Sequence, residues 1–120
     1  MAGIIVFGYG DWNISSNGFR AMACGVNNYL SDNADAAEVR GVLTLAVDSE
    51  LYFIDTINSF SIEMFGEFLK AVDSYLYELS SKGAAGADDP ELFEGHSARI
   101  SELAELLRRA NNPTGYNSKL

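Results

Sequence analysis

The sequence predicts a small α+β domain with a mainly antiparallel sheet packed against helices. Three observations carry that expectation. Ile4-Ile5-Val6-Phe7 is a short apolar run closed by glycines, which reads as a buried strand. Val39 to Val47 and Leu51 to Ile57 are two β-rich runs on either side of Asp48-Ser49-Glu50, the pattern of a hairpin. Ile62, Phe65, Leu69, Val72, Leu76 and Leu79 recur every three or four residues, which is one face of a long helix.

Taken in order, the first strand ends in Gly8-Tyr9-Gly10-Asp11, a turn composition. From Phe19 the apolar positions Met22, Ala23, Val26, Tyr29 and Leu30 follow a helical spacing, with Ser15 or Ser16 as the cap. Gly18 and Gly25 weaken that helix by about 1 kcal/mol each, and Asn17-Gly18 offers a competing hairpin turn. Asp32 to Glu38 lacks periodicity and reads as an exposed acidic connection. In the hairpin that follows, Leu43, Leu45, Val47, Leu51 and Phe53 form one face. Val42, Thr44, Ala46, Tyr52, Ile54 and Thr56 form the other, which is too apolar for free solvation and calls for a cover from a helix or a partner.

The long helix starts after Ser59 or Ser61 and ends near Lys82-Gly83. Residues 83–89, rich in Gly and Ala, read as a flexible linker. Asp89-Pro90-Glu91 then places a capping residue before a proline at the first helical position. The last helical region, with a break expected at Gly95, carries Ile100, Leu103, Ala104, Leu107 and Ala110 and stops before Pro113. Residues 113–120 are expected to fray. The expected element order is β-α-β-β-α-α in one domain spanning 1–120.

Composition narrows the functional classes. With 120 residues and 48% hydrophobic content the chain can fill one core unaided. Cys24 is the only cysteine, so no internal disulfide forms and a cytoplasmic address is the default. No secretory leader and no apolar stretch of membrane-spanning length is visible, which predicts a soluble protein. A net charge of −9 repels nucleic acid and anionic lipid, so direct contact with either is not expected. The charge is uneven: Asp32, Asp35, Glu38, Asp48, Glu50, Asp55 and Glu63 are answered in their interval by Arg40 alone.

The residues that carry chemistry elsewhere form no complete set here. Gly8-Tyr9-Gly10 opens like a dinucleotide-binding turn, but Asn13 stands at the third glycine position and no acidic strand end follows. Cys24 and His96 are the one conceivable nucleophile and base pair, with nothing in their spacing to bring them together. Asp88, Asp89, Glu91 and Glu94 match no calcium loop and suit a helix start. Asp48, Glu50 and Asp55 on one small hairpin provide no cleft for acid–base work. No catalytic group, metal or cofactor is expected.

The chemistry that remains is electrostatic. Asp32, Asp35, Glu38, Asp48, Glu50 and Asp55 are the residues expected to meet cations on a partner, with Trp12 and Tyr52 as exposed aromatic anchors beside them and Tyr9 next to Trp12. The function expected from this is a non-enzymatic inhibitor that neutralises a basic protein partner, in the manner of bacterial immunity proteins and antitoxins, possible targets including a nuclease toxin. Two alternatives stand beside it. One is a structural or regulatory subunit that forms a homodimer or docks through the Thr44, Ala46, Tyr52 and Ile54 face. The other is a small enzyme whose pocket is assembled from residues distant in sequence.

Overall fold

A computed structural model describes residues 2–7, 10–54, 60–83 and 89–110. The chain is an α+β domain in which a three-stranded mixed sheet packs against four helices. Strands β1 (Ala2–Phe7) and β2 (Gly10–Ser15) are followed by helices α1 (Ser16–Asn27) and α2 (Ala34–Asp48). The short strand β3 (Phe53–Ile54) then leads to α3 (Ile62–Lys82) and α4 (Pro90–Ala110). Most of the linker expected at 83–89 and all of the tail expected at 113–120 lie outside the described residues.

The sheet order is β2-β1-β3. β1 and β2 are antiparallel, from Ala2 opposite Ser15 to Phe7 opposite Gly10, whereas β3 runs parallel to β1 with Ile5 opposite Ile54. Side chains alternate across a strand, so this register puts Ile5, Phe7, Trp12, Ile14 and Ile54 on one face, all buried. Asp11 and Asn13 point away from it and are exposed. The helices close over the apolar face.

Three sequence expectations are corrected here. A second strand precedes α1, because Asp11 to Ile14 alternates polar and apolar residues and pairs with the strand before it. The expected hairpin at 39–57 is instead mostly helix α2, so the element order is β-β-α-α-β-α-α. The supposed acidic connection is the helix start: Asn33 Oδ1 accepts the Ala36 amide at 2.8 Å, and Asp35 occupies the electropositive first turn. Ala36, Val39, Leu43 and Ala46 are spaced by three, four and three residues and all are buried. Burying that stripe outweighs the few tenths of a kcal/mol that each β-branched valine costs in a helix.

The turn after α2 uses left-handed backbone at two non-glycine residues, Glu50 (φ 60°) and Tyr52 (φ 51°). Such conformations cost about 1–2 kcal/mol each and persist where the surroundings hold them. Here the Tyr52 amide donates to Ala46 O at 3.0 Å and Tyr52 O accepts from the Ile4 amide at 2.8 Å. These bonds fasten β3 beside β1.

The other helices start where their caps predict, but α3 buries Phe68, Ala71, Val72, Tyr75 and Leu79. Of the expected stripe only Val72 and Leu79 are therefore fully in the core, and Ile62 is exposed. Ser15 caps α1 through the Gly18 amide at 3.0 Å, and Ser61 caps α3 through Met64 at 3.1 Å. α3 ends at Gly83, whose φ of 71° is the conformation glycine adopts freely. Asp89 Oδ1 accepts the Leu92 amide at 3.2 Å at the start of α4, which continues through Gly95 without the expected break. Ile100, Leu103, Ala104 and Leu107 of α4 are fully buried against the core. α3 packs against each of the other three helices.

Candidate functional site

Helix α2 presents to solvent a stripe that mirrors its buried one. Two residues along from Ala36, Val39, Leu43 and Ala46 stand Glu38, Gly41, Leu45 and Asp48. A two-residue step turns the helix by about 200°, onto the opposite side. All four outer residues are exposed, and Leu45 retains 69% of its surface. Leu51, 67% exposed, lies just beyond the helix end. The stripe therefore reads carboxylate, glycine, leucine, carboxylate over about 15 Å.

The other expected acidic residues flank this stripe. Asp32 is exposed in the turn before α2, Asp35 is half-buried in the first helical turn, and Glu50 is exposed after the last. Asp55 lies outside the described residues. The carboxylates therefore fall into two groups, Asp32, Asp35 and Glu38 at one end and Asp48 and Glu50 at the other, with Glu38 and Asp48 about 15 Å apart along the helix. Their closeness in sequence is not a single cluster in space.

None of these five carboxylates forms an ion pair among the described residues. Ion pairs join Lys82 to Glu78, Arg99 to Glu102, and Arg108 to Asp73 and Glu105, all on α3 and α4. Arg40, the cation embedded in the acidic interval, turns toward the end of α1. It bonds Asn27 Oδ1 and reaches the carbonyls of Asn27 and Leu30 at 3.4 and 3.3 Å. Those carbonyls lie at the electronegative end of the helix, which is where a guanidinium is favoured.

The aromatic anchors expected from sequence are interior groups, a correction with a clear cause. Trp12 lies in β2 opposite Ile5, so the register turns its ring into the core, where it is 1% exposed and Nε1 donates to Arg99 O at 2.7 Å. Tyr52 is 6% exposed, packs edge-on against Phe19, and has its hydroxyl bonded by Arg20. Tyr9 lies outside the described residues. The open hairpin face expected for homodimer docking is likewise absent among the described residues: of its four residues Ala46, Tyr52 and Ile54 are buried in the chain's own core, and Thr44 is exposed on α2. Leu45 and Leu51 are the exposed apolar groups that sequence reasoning placed on the wrong surface. The three-four-three spacing of Ala36 to Ala46 is the signal that locates Leu45.

The two reactive side chains border different grooves. Cys24 is exposed on one flank of α1, in a shallow groove with Arg20, Asn27 and Arg40. His96 lies on α4, facing the groove on the other flank of α1, and its Nε2 shares a 2.9 Å hydrogen bond with the Tyr75 hydroxyl. Tyr75 is buried beneath Gly25 of α1, and desolvation, followed by the nearby Glu78 charge, pushes its pKa up to about 12. Among the described residues no group of three His, Cys, Asp or Glu side chains converges as metal ligands, and no helix is long and apolar enough to cross a membrane.

Desolvation also holds the His96 pKa below its ordinary value. A depressed folded-state pKa means that the unfolded chain takes up a proton first as pH falls. Stability is therefore full above the unfolded value of about 6.5 and declines below it until His96 protonates in the folded chain. Thermal melts between neutral and mildly acidic pH are expected to show this decline, and His96→Gln, which keeps a partner for Tyr75, is expected to flatten it.

Comparison of the chain with protein-family models, curated proteins and solved structures finds no match. The functional reading therefore rests on the chemistry of the surface itself.

Proposed function

We propose that this chain is a non-enzymatic binding protein that docks the outer side of α2 on a basic surface of another protein and so neutralises it, in the manner of an immunity protein or antitoxin. The observation that carries the reading is the set of five carboxylates around α2 that form no ion pair among the described residues, with Leu45 and Leu51 exposed among them. A protein that only needed solubility could spread its acids evenly and keep large aliphatic side chains covered. Here the two are interleaved. Unpaired charges steer a cationic partner over long distances, and the leucines supply apolar contact once the surfaces meet.

The geometry suits a patch of ordinary interface size. About 15–20 Å of helix, with the turn beyond it, falls within the roughly 800 Å² that each partner contributes to a standard complex. Nuclease toxins present basic active-site clefts of the kind such a patch can occupy.

Co-expression of the tagged chain with the products of neighbouring reading frames tests the proposal. The expected partner is a basic protein whose association rate falls steeply as salt is raised. A Glu38→Lys/Asp48→Lys variant is expected to slow association by about tenfold or more, and Leu45→Asp to speed dissociation. A complex whose association rate is unchanged by salt and by the double charge reversal ends the proposal.

A further inference from the structure

The flank of α1 away from α2 borders a groove of about 670 Å³. α1 packs on α3 and the sheet, and α4 packs on α3 and β2. The slot between them follows the first three turns of α4, and its walls are mostly apolar, with Ile14 and Ala21 on one side and Leu92 and Phe93 on the other. His96 lies midway along it.

The two ends of the slot differ in charge. Asp89 and Glu91 border one end, and Arg99, which also reaches Glu102 at 2.7 Å, borders the other. Asp89 and Arg99 are about 15 Å apart along α4. That distance is between two and three turns of helix. A helix laid in the slot can set lysines of its first turn against the Asp89 and Glu91 carboxylates and turn its C-terminal carbonyls toward Arg99. Leu92 on the lip is 72% exposed, a degree of exposure that a covering apolar face would remove.

We propose that this groove receives an amphipathic, basic helix of a partner protein, held by apolar side chains at helical spacing and oriented by the opposed charges at its ends. The site is separate from the outer side of α2 and stands whether or not that surface binds a partner. On α1, Gly18 and Ala21 line this groove, whereas Arg20, Cys24 and Asn27 line the one toward α2.

Gly95 provides the means to close the slot. It borders the groove, and a Cβ built on it meets no atom within 4 Å, so a side chain can leave the backbone there and Gly95→Trp is the variant chosen to obstruct the slot. The probe is a leucine–lysine peptide of about four helical turns, compared with a scrambled peptide of the same composition that has no apolar face. The full chain is expected to bind the amphipathic peptide at least about tenfold more tightly than the scrambled one, with amide shifts at Gly18, Leu92 and His96. Gly95→Trp is expected to weaken that binding about tenfold, while Glu38→Lys/Asp48→Lys leaves the amide shifts in the groove in place.

Equal affinity for the two peptides overturns the proposal, as does full binding by Gly95→Trp. Capture of a naphthalene sulfonate dye in the groove without binding of the amphipathic peptide also overturns it, in favour of a small-molecule site. Should Gly95→Trp fail to fold, Leu92→Asp at the exposed lip takes its place, with the same loss of affinity expected.

Discussion

Trp12→Ala is expected to lower the unfolding free energy by about 3–5 kcal/mol, a large part of the 5–15 kcal/mol available to a domain of this size. The ring is 1% exposed in β2 opposite Ile5, and its indole nitrogen donates to Arg99 O on α4 at 2.7 Å. One substitution therefore empties the sheet–α4 contact and leaves a carbonyl without its donor. Trp12→Phe retains most of the volume but still loses the bond, and about 1–3 kcal/mol is expected from that change. Urea denaturation followed by circular dichroism measures both, with a lower midpoint and an unchanged slope. Fluorescence cannot serve, since Trp12 is the chain's only tryptophan. Were Trp12 a docking residue on the surface, the alanine variant would melt like the wild type.

Gly25→Ala carries the second large effect, because the backbone of α1 passes directly over Tyr75. A Cβ at this position falls 2.3 Å from Tyr75 Cε1 and 2.5 Å from Cζ. The ring is 7% exposed and tied to His96, so it retreats only by breaking that bond or spreading α1 from α3. Overpacking of this kind costs about 1–3 kcal/mol, enough to exceed the roughly 1 kcal/mol by which alanine surpasses glycine in a helix. Gly66→Ala is the contrasting case. It lies inside α3 with nothing within 4 Å of the added methyl, and a gain of up to about 1 kcal/mol is expected. Opposite shifts in melting temperature for the two variants are the expected result. The acid-dependent loss assigned to His96 should also shrink in Gly25→Ala, since a displaced Tyr75 opens the imidazole to water.

How much of this was legible in the sequence depended on how far each element relies on its neighbours. The six-position repeat from Ile62 to Leu79 specified α3, and Asp89-Pro90 specified the start of α4, because caps and periodicity act within a few residues. The valines of α2 read as strand because β-branched residues favour a pleated surface when considered locally. Their burial as a helical stripe is possible only because α1 and α3 provide a surface at that spacing. The same change moved Leu45 from an interior face to solvent and Tyr52 and Ile54 into the core.

The candidate site divides along the same line. The acidic excess between Asp32 and Glu63, with Arg40 its one local counter-charge, was visible in the residue order. The end-to-end separation of those carboxylates, the turn of Arg40 toward the end of α1, and the interior positions of Trp12 and Tyr52 were not. The groove between α1 and α4 had no signal at all, since its walls come from segments about 70 residues apart.

The sequence by itself determined the α+β class, the long α3 helix, the caps of α1, α3 and α4 and the negative charge, since composition and local hydrogen-bonding preferences act over a turn or two of chain. The tertiary structure decided that residues 34–48 are helix, that β2 turns Trp12 inward, and which acids and leucines remain in water. Those outcomes depend on which apolar face finds a partner surface, and that surface is built by residues far away along the chain.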